Sequence, residues 1–235
     1  ARSTNLTVHA TNNYVLKAIL MAGASKTGLV SPMLDPTLST GYYVTNWDFN
    51  TPYVYSNHPP GQPLDRFFGA GLFNINNAYA ILTAGEQTRT ATNAAIGWAW
   101  GTNLVSGAPH QYWIALTRPA SEFSAMLVCN RHVRNNGGSA YYWSVTELKL
   151  ELYNQDNQVI ATSDDPGNNV NHLWLPGGLN AGLYHLKVSN VGLYSTGGSP
   201  SASENYGLAW RTACPNAVPV ATSVQPHTDG MHIIF

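Results

Sequence analysis

The chain has 235 residues, of which 11 are Lys or Arg and 12 are Asp or Glu, for a formal net charge of −1. Charged residues make up 10% of it, against about 25% in an ordinary soluble domain, so neutral polar groups carry the surface. No Lys/Arg cluster supplies the electrostatic term behind nucleic-acid affinity, and no stretch approaches the roughly 18 apolar residues of a membrane-spanning helix, so neither a nucleic-acid partner nor a membrane span is expected.

Residues 1–10 alternate polar and apolar side chains, which predicts an extended N-terminal arm over 1–12 with Leu6 and Val8 as its apolar contacts. Asn5-Leu6-Thr7 is the one Asn-x-Ser/Thr sequon and marks Asn5 as a candidate glycosylation site. Asn12 or Asn13 caps a helix running to about Ala24, with Val15, Leu16, Ile19 and Leu20 at helical spacing. That helix is apolar over much of its girth and needs partners on more than one side. Residues 28–64, rich in Pro, Gly, Tyr and Asn, read as a long irregular loop. Gly69–Asn74 leads into a second helix over about 75–84, ended by Gly85.

From about residue 96 the apolar period becomes two. Strands are expected at Trp98–Trp100, Gln111–Thr117, Glu122–Asn130, Val145–Tyr153, Gln158–Thr162, Asn171–Leu175, Gly182–Ser189 and Tyr206–Thr212. The clearest is Glu147-Leu148-Lys149-Leu150-Glu151-Leu152, with leucines facing in and charges out. Turn formers separate them, among them Asn135-Asn136-Gly137-Gly138 and Asp164-Asp165-Pro166-Gly167. The fold class is mainly β: an antiparallel β-sandwich or jelly roll over 96–212, preceded by a helical and loop segment at 13–95, with extended terminal arms. A C-terminal extension, 213–235, ends in Ile233-Ile234-Phe235, an apolar run expected to be buried.

Two stretches carry a resemblance. Tyr14-Val15-Leu16-Lys17-Ala18-Ile19-Leu20-Met21-Ala22-Gly23-Ala24-Ser25-Lys26, then Pro63-Leu64-Asp65 and Gly69-Ala70-Gly71-Leu72-Phe73-Asn74-Ile75-Asn76-Asn77-Ala78-Tyr79, resembles the part of secreted bacterial subtilisin-like serine peptidases that follows the catalytic serine. From Gly97 to Arg211 the pattern, notably Asn171–Pro176, Gly182-Leu183-Tyr184 and Tyr206–Trp210, is similar to the pre-peptidase C-terminal type of β-sandwich appended to such enzymes. The family's serine motif, Gly-Thr-Ser-x-Ala-x-Pro, is absent. Gly101-Thr102-Asn103 is a lookalike with Asn103 at the nucleophile's place, so no catalytic residue carries over and the chain is expected not to be an enzyme.

Other chemistry reads weakly. There is no Gly-x-Ser-x-Gly elbow, and Gly23-Ala24-Ser25-Lys26-Thr27 lacks a phosphate loop's glycine before the lysine and follows a helix instead of opening one. Asp156, Asp164, Asp165, Asn168 and Asn169 crowd one hairpin, and of these Asp164, Asp165 and Asn168 are the candidate Ca²⁺ ligands, with no other cofactor expected; a plain β-turn is the competing explanation. His227, His232 and Asp229 form a tail group read as solvent-exposed. Cys129 and Cys214 either close a long loop as one disulfide or remain two buried thiols.

The 13 Tyr, 7 Trp and 6 Phe include Tyr42, Tyr43, Trp47, Tyr53, Tyr55 and Tyr141-Tyr142-Trp143 in expected loops, where they suit an interface or a carbohydrate-stacking surface. Low charge, aromatic loops and terminal arms lead to a first expectation. It is a non-catalytic, extracellular structural protein that assembles with copies of itself into a filament or surface array, through the arm residues Leu6 and Val8, the aromatic loop and Ile233, Ile234 and Phe235. The alternatives are a binding module processed from a subtilisin-like peptidase and a carbohydrate-binding sandwich.

Overall fold

A computed structural model describes residues 8–26, 64, 69–135, 141–164, 167–195, 203–213, 223–227 and 230–234, with backbone alone at 134–135, 141–142, 195, 223–227 and 230–234. Two helices, α1 (Asn13–Gly23) and α2 (Ile75–Ala84), precede the strands. Strands β1 (Thr92–Asn93), β2 (Gly97–Leu104), β3 (His110–Leu116), β4 (Glu122–Cys129), β5 (Arg131–Asn135) and β6 (Tyr141–Asn154) come first. They are followed by β7 (Val159–Ser163), β8 (Val170–Leu175), β9 (Gly182–Ser195), β10 (Glu204–Ala213), β11 (Ser223–His227) and β12 (Gly230–Ile234). One sheet has the order β1-β3-β9-β6-β5 with β7 also on β6, the second β2-β10-β4-β8, and β11 pairs with β12 as a separate hairpin. Among these strands every pairing is antiparallel except the short β1–β3 contact. The expected β-sandwich is the architecture observed.

Alternation builds the core. Tyr112, Ile114, Leu116, Leu148, Leu150, Leu152, Leu186 and Val188 from the larger sheet meet Phe123, Ala125, Leu127, Leu173, Leu208 and Trp210 from the smaller. The opposite face of the smaller sheet is also apolar: Trp98, Met126, Val128 and Ala209 pack against Val15, Ala18, Ile19 and Ala22 of α1 and Ala78 and Ile81 of α2. The helices thus form a third layer over the sandwich. Backbone approaches backbone here, since a Cβ on Gly207 of β10 would meet the Tyr14 carbonyl carbon and Val15 nitrogen at about 2.5 Å, so only glycine fits.

The residues around the end of α1 and the start of α2 have a structural use in this layer. Asn12 caps α1, its side chain accepting from the Tyr14 amide at 2.9 Å, and Asn74 caps α2 through the Asn77 amide at 3.1 Å. Asn74 Nδ2 also donates to Ser25 Oγ at 2.9 Å and Asn77 Nδ2 to the Gly23 carbonyl at 2.9 Å, joining the end of α1 to the start of α2. Arg211 of β10 donates to the Ala22 and Ala24 carbonyls and pairs with Glu122, which satisfies the C-terminus of α1 from the sheet. Lys26 lies beneath, 1% exposed, its Nζ donating to the Ala24 carbonyl.

Several expectations are corrected. The chain at Val8–Thr11 is a 3-10 helix rather than extended: Ala10 is buried beside α1, and His9 Nδ1 meets Glu86 at 2.8 Å. Strands β6 and β9, expected over Val145–Tyr153 and Gly182–Ser189, each run 14 residues, and Tyr141-Tyr142-Trp143 belongs to β6, not to a loop. Part of the C-terminal extension is hairpin, with Ile233 opposite Val224 and Ile234 opposite Ser223. Cys129 is a free, buried thiol whose Sγ lies 3.8 Å from the Thr146 carbonyl. The register sets Tyr206 of β10 against Cys129 and Ala213 against Glu122, and Cys214 lies outside the described residues.

Candidate functional site: the open face of the larger sheet

The smaller sheet is covered on both sides, whereas the larger sheet has an outer face on which the strand period places a second set of side chains. On β9, Tyr184, Leu186 and Val188 point into the core, so His185 and Lys187 point outward; on β6, Glu147, Lys149, Glu151 and Tyr153 alternate with the buried leucines. On β3, Gln111 and Trp113 alternate with the buried Tyr112 and Ile114. Register then aligns Trp113 with His185 and His185 with Tyr153, making one row across three strands.

In that row the Trp113 and His185 ring centres are 4.5 Å apart, and His185 stacks on Tyr153 at 4.7 Å with the planes 5° apart. His185 is 3% exposed although it lies on the outer face, because the two half-buried rings enclose it. Its Nδ1 is buried without a hydrogen-bond partner among the described residues. Burial, with the Lys187 charge second, lowers its pKa from the ordinary histidine value, so the ring is neutral near pH 7. Such contacts contribute about 0.5–1.5 kcal/mol each beyond their buried area. The outcome is a rigid aromatic ledge of Trp113 and Tyr153 with the imidazole as spacer.

The next row, Gln111, Lys187, Glu151 and Thr162, is polar. Glu151 accepts from Lys149 at 3.0 Å and lies 3.6 Å from Lys187. The Lys187 ammonium sits 5.4 Å from the centre of the Tyr153 ring and 3.4 Å from its hydroxyl. The Glu151 hydrogen bond is the main reason that the Lys149 pKa is raised. Donors and acceptors of both kinds thus border the ledge with nearly balanced charge.

The sequence-predicted residues do not gather here. Val8 is 80% exposed on the 3-10 helix. Asp164 is exposed just after β7 and Asn168 is half-buried, while Asp165 lies outside the described residues. Asn154 closes the neighbouring turn by accepting from the amides of Asp156 and Gln158, and among the described residues no three His, Cys, Asp or Glu side chains form a metal-holding group. Asn5, Leu6, Tyr42, Tyr43, Trp47, Tyr53, Tyr55, Cys214 and Phe235 lie outside the described residues, as do the side chains of Ile233 and Ile234. The catalytic lookalike is a strand end: Asn103 has φ 57°, its backbone N–H donates to Asn205 Oδ1 at 3.1 Å, and its Oδ1 accepts from Ser203 Oγ at 3.2 Å. Trp113, Tyr153 and His185 were legible only as ordinary strand residues, because nothing local signals their meeting.

No family model and no curated protein matches this chain. Among solved structures it is similar to the pre-peptidase C-terminal domain of a collagenase from Bacillus anthracis, at 14% identity and a TM-score of 0.34, over 50% of this chain and 90% of that one. It is also similar to the complex of Aeromonas sobria serine protease with its chaperone, at 12% identity and a TM-score of 0.25, over 89% of this chain and 40% of that one. No helix among the described residues is long and apolar enough to cross a membrane.

Proposed function

We propose that this chain is a non-catalytic, extracellular binding module whose open sheet face holds a neutral carbohydrate. The observation that carries the reading is the Trp113–His185–Tyr153 row, stacked at 4.5 and 4.7 Å and bordered by Lys149, Glu151 and Lys187. A sugar ring offers a C–H face to an aromatic plane and hydroxyls, each donor and acceptor, to the polar row. Near-neutral charge disfavours a polyanion. The lack of the serine motif and the resemblance to a peptidase-appended sandwich support a binding rather than a hydrolytic role. The test is retention of the purified chain on chitin, cellulose and, as an anionic control, heparin. Retention on a neutral polymer that falls at least about tenfold with Trp113→Ala, equal to about 1.4 kcal/mol, is expected; retention on heparin alone would overturn the reading.

A second reading is self-association. Leu72, Phe73, Ile75 and Tyr79 are 59–66% exposed around the start of α2, an apolar surface that suits a copy-to-copy contact. Sedimentation velocity over a wide concentration range tests it, with Phe73→Ser as the variant. Concentration-dependent oligomers lost in that variant are the expected result for this reading, and a monomer throughout removes it.

A further inference from the structure

A second aromatic cluster lies on the same face at the other end of β6. Trp143 has the outward parity of Tyr153 and stacks on Tyr194 of β9 with ring centres 5.3 Å apart and planes at 29°. The Arg131 guanidinium of β5 lies 4.6 Å above the Trp143 ring and is fixed by a 2.9 Å hydrogen bond to the Gly167 carbonyl. Tyr194 is 39% exposed. Gly167 has φ 81°, a backbone conformation that favours glycine, and a Cβ there would come within 3.2 Å of the Tyr194 ring. Beneath the rings, Val145 is fully buried between its register partners Arg131 and Tyr194.

From Trp143 to Tyr153 the strand covers ten residues, about 33 Å at about 3.3 Å per residue, and Glu147, Lys149 and Glu151 line the track between. The extra residue at the β-bulge is Val191 on β9, so the outward alternation of β6 runs unbroken past it. Each end pairs an aromatic ring with a cation, Lys187 at Tyr153 and Arg131 at Trp143.

We propose that Trp143 and Tyr194, with Arg131, form a second subsite of the carbohydrate face, so that the module reads one extended glycan chain along β6. This rests on the carbohydrate reading above. Two weak subsites joined by one ligand bind far more tightly than either alone, since the second contact becomes intramolecular.

The experiment is isothermal titration of the full chain with an oligosaccharide ladder, trimer to octamer, cut from whichever of chitin or cellulose retains it. The affinity of the native chain should rise at least about tenfold from trimer to the longest oligomer, one oligomer per chain. Trp143→Ala should abolish that gain and leave trimer affinity unchanged, whereas Trp113→Ala should weaken trimer and octamer alike. Tyr194→Ala is the second variant, and both must retain the native melting temperature; if one does not fold, the other decides. Oligomer binding that depends on Trp113 yet is unchanged in the folded Trp143 or Tyr194 variant overturns the second subsite and leaves the first standing. No retention on either neutral polymer overturns both.

Discussion

The Tyr206 ring stands directly over the bare Cα of Gly101 on the neighbouring strand, leaving no room for a Cβ. That seat directs the Tyr206 hydroxyl to His110 Nδ1 at 2.8 Å and the Tyr112 hydroxyl at 3.0 Å, a polar chain inside the apolar core. Gly101→Ala must displace the ring or spread the strands and is expected to destabilise the fold by about 1–3 kcal/mol. Gly177→Ala, where nothing lies within 4 Å, should stay within about 0.5 kcal/mol. Urea denaturation of both variants checks this.

The same chain gives an acid-sensitive core. Burial, with Arg89 second, lowers the His110 pKa to about 4 from an ordinary 6.5. On the way down in pH the unfolded chain takes up this proton first, so the contribution of His110 is intact above about pH 6.5 and is lost progressively towards pH 4. The urea midpoint should fall over that window, and less steeply in His110→Gln.

Lys26 runs the same way at higher pH. Burial, with Arg211 second, lowers its pKa to about 7 from 10.5. The buried charge is therefore a full cost below about pH 7, and it lightens as pH rises towards 10.5. Lys26→Met should raise the urea midpoint at pH 7, and the native chain should approach that variant between pH 7 and 9. A midpoint lowered by the substitution at pH 7 would contradict this account.

Arg211→Ala removes two hydrogen bonds to the end of α1 and leaves Glu122 without its partner. A loss of about 3–5 kcal/mol is expected. Restoring neutrality in Arg211→Met with Glu122→Gln should recover part of it, as thermal melts of the single and double variants will show.

Cys129 should be chemically silent. Burial pushes its thiol up to about 12, so almost no thiolate exists at neutral pH. In a Cys214→Ser background the native chain should not react with a maleimide at pH 7.5 and should react fully in urea. Modification of the native state would show that the core opens on the labelling timescale.

Much of this architecture was legible where a local signal and the final environment agree. Asn12 and Asn74 are caps by residue type, and Leu148, Leu150 and Leu152 alternate with charges because one side of β6 faces the core. The start of β6 was not legible, because Tyr141-Tyr142-Trp143 gives no contrast between faces. The candidate site was hidden for a different reason: Trp113, Tyr153 and His185 come from three strands, and only long-range register brings them side by side.

That long-range register also sets the order in which the fold can be made. Strand β10 lies between β2 and β4, yet it is the last strand of the sandwich in the chain. Until residues 204–213 emerge from the ribosome, β2 and β4 lack their shared neighbour, and Trp98, Met126 and Val128 have an incomplete sheet on which to seat the helices. Non-local pairing of this kind slows folding and leaves unpaired strand edges open to aggregation. A nascent chain stalled before Glu204 should therefore bind chaperones and resist folding, and release of the last strand should complete both sheet and helical layer in one cooperative step.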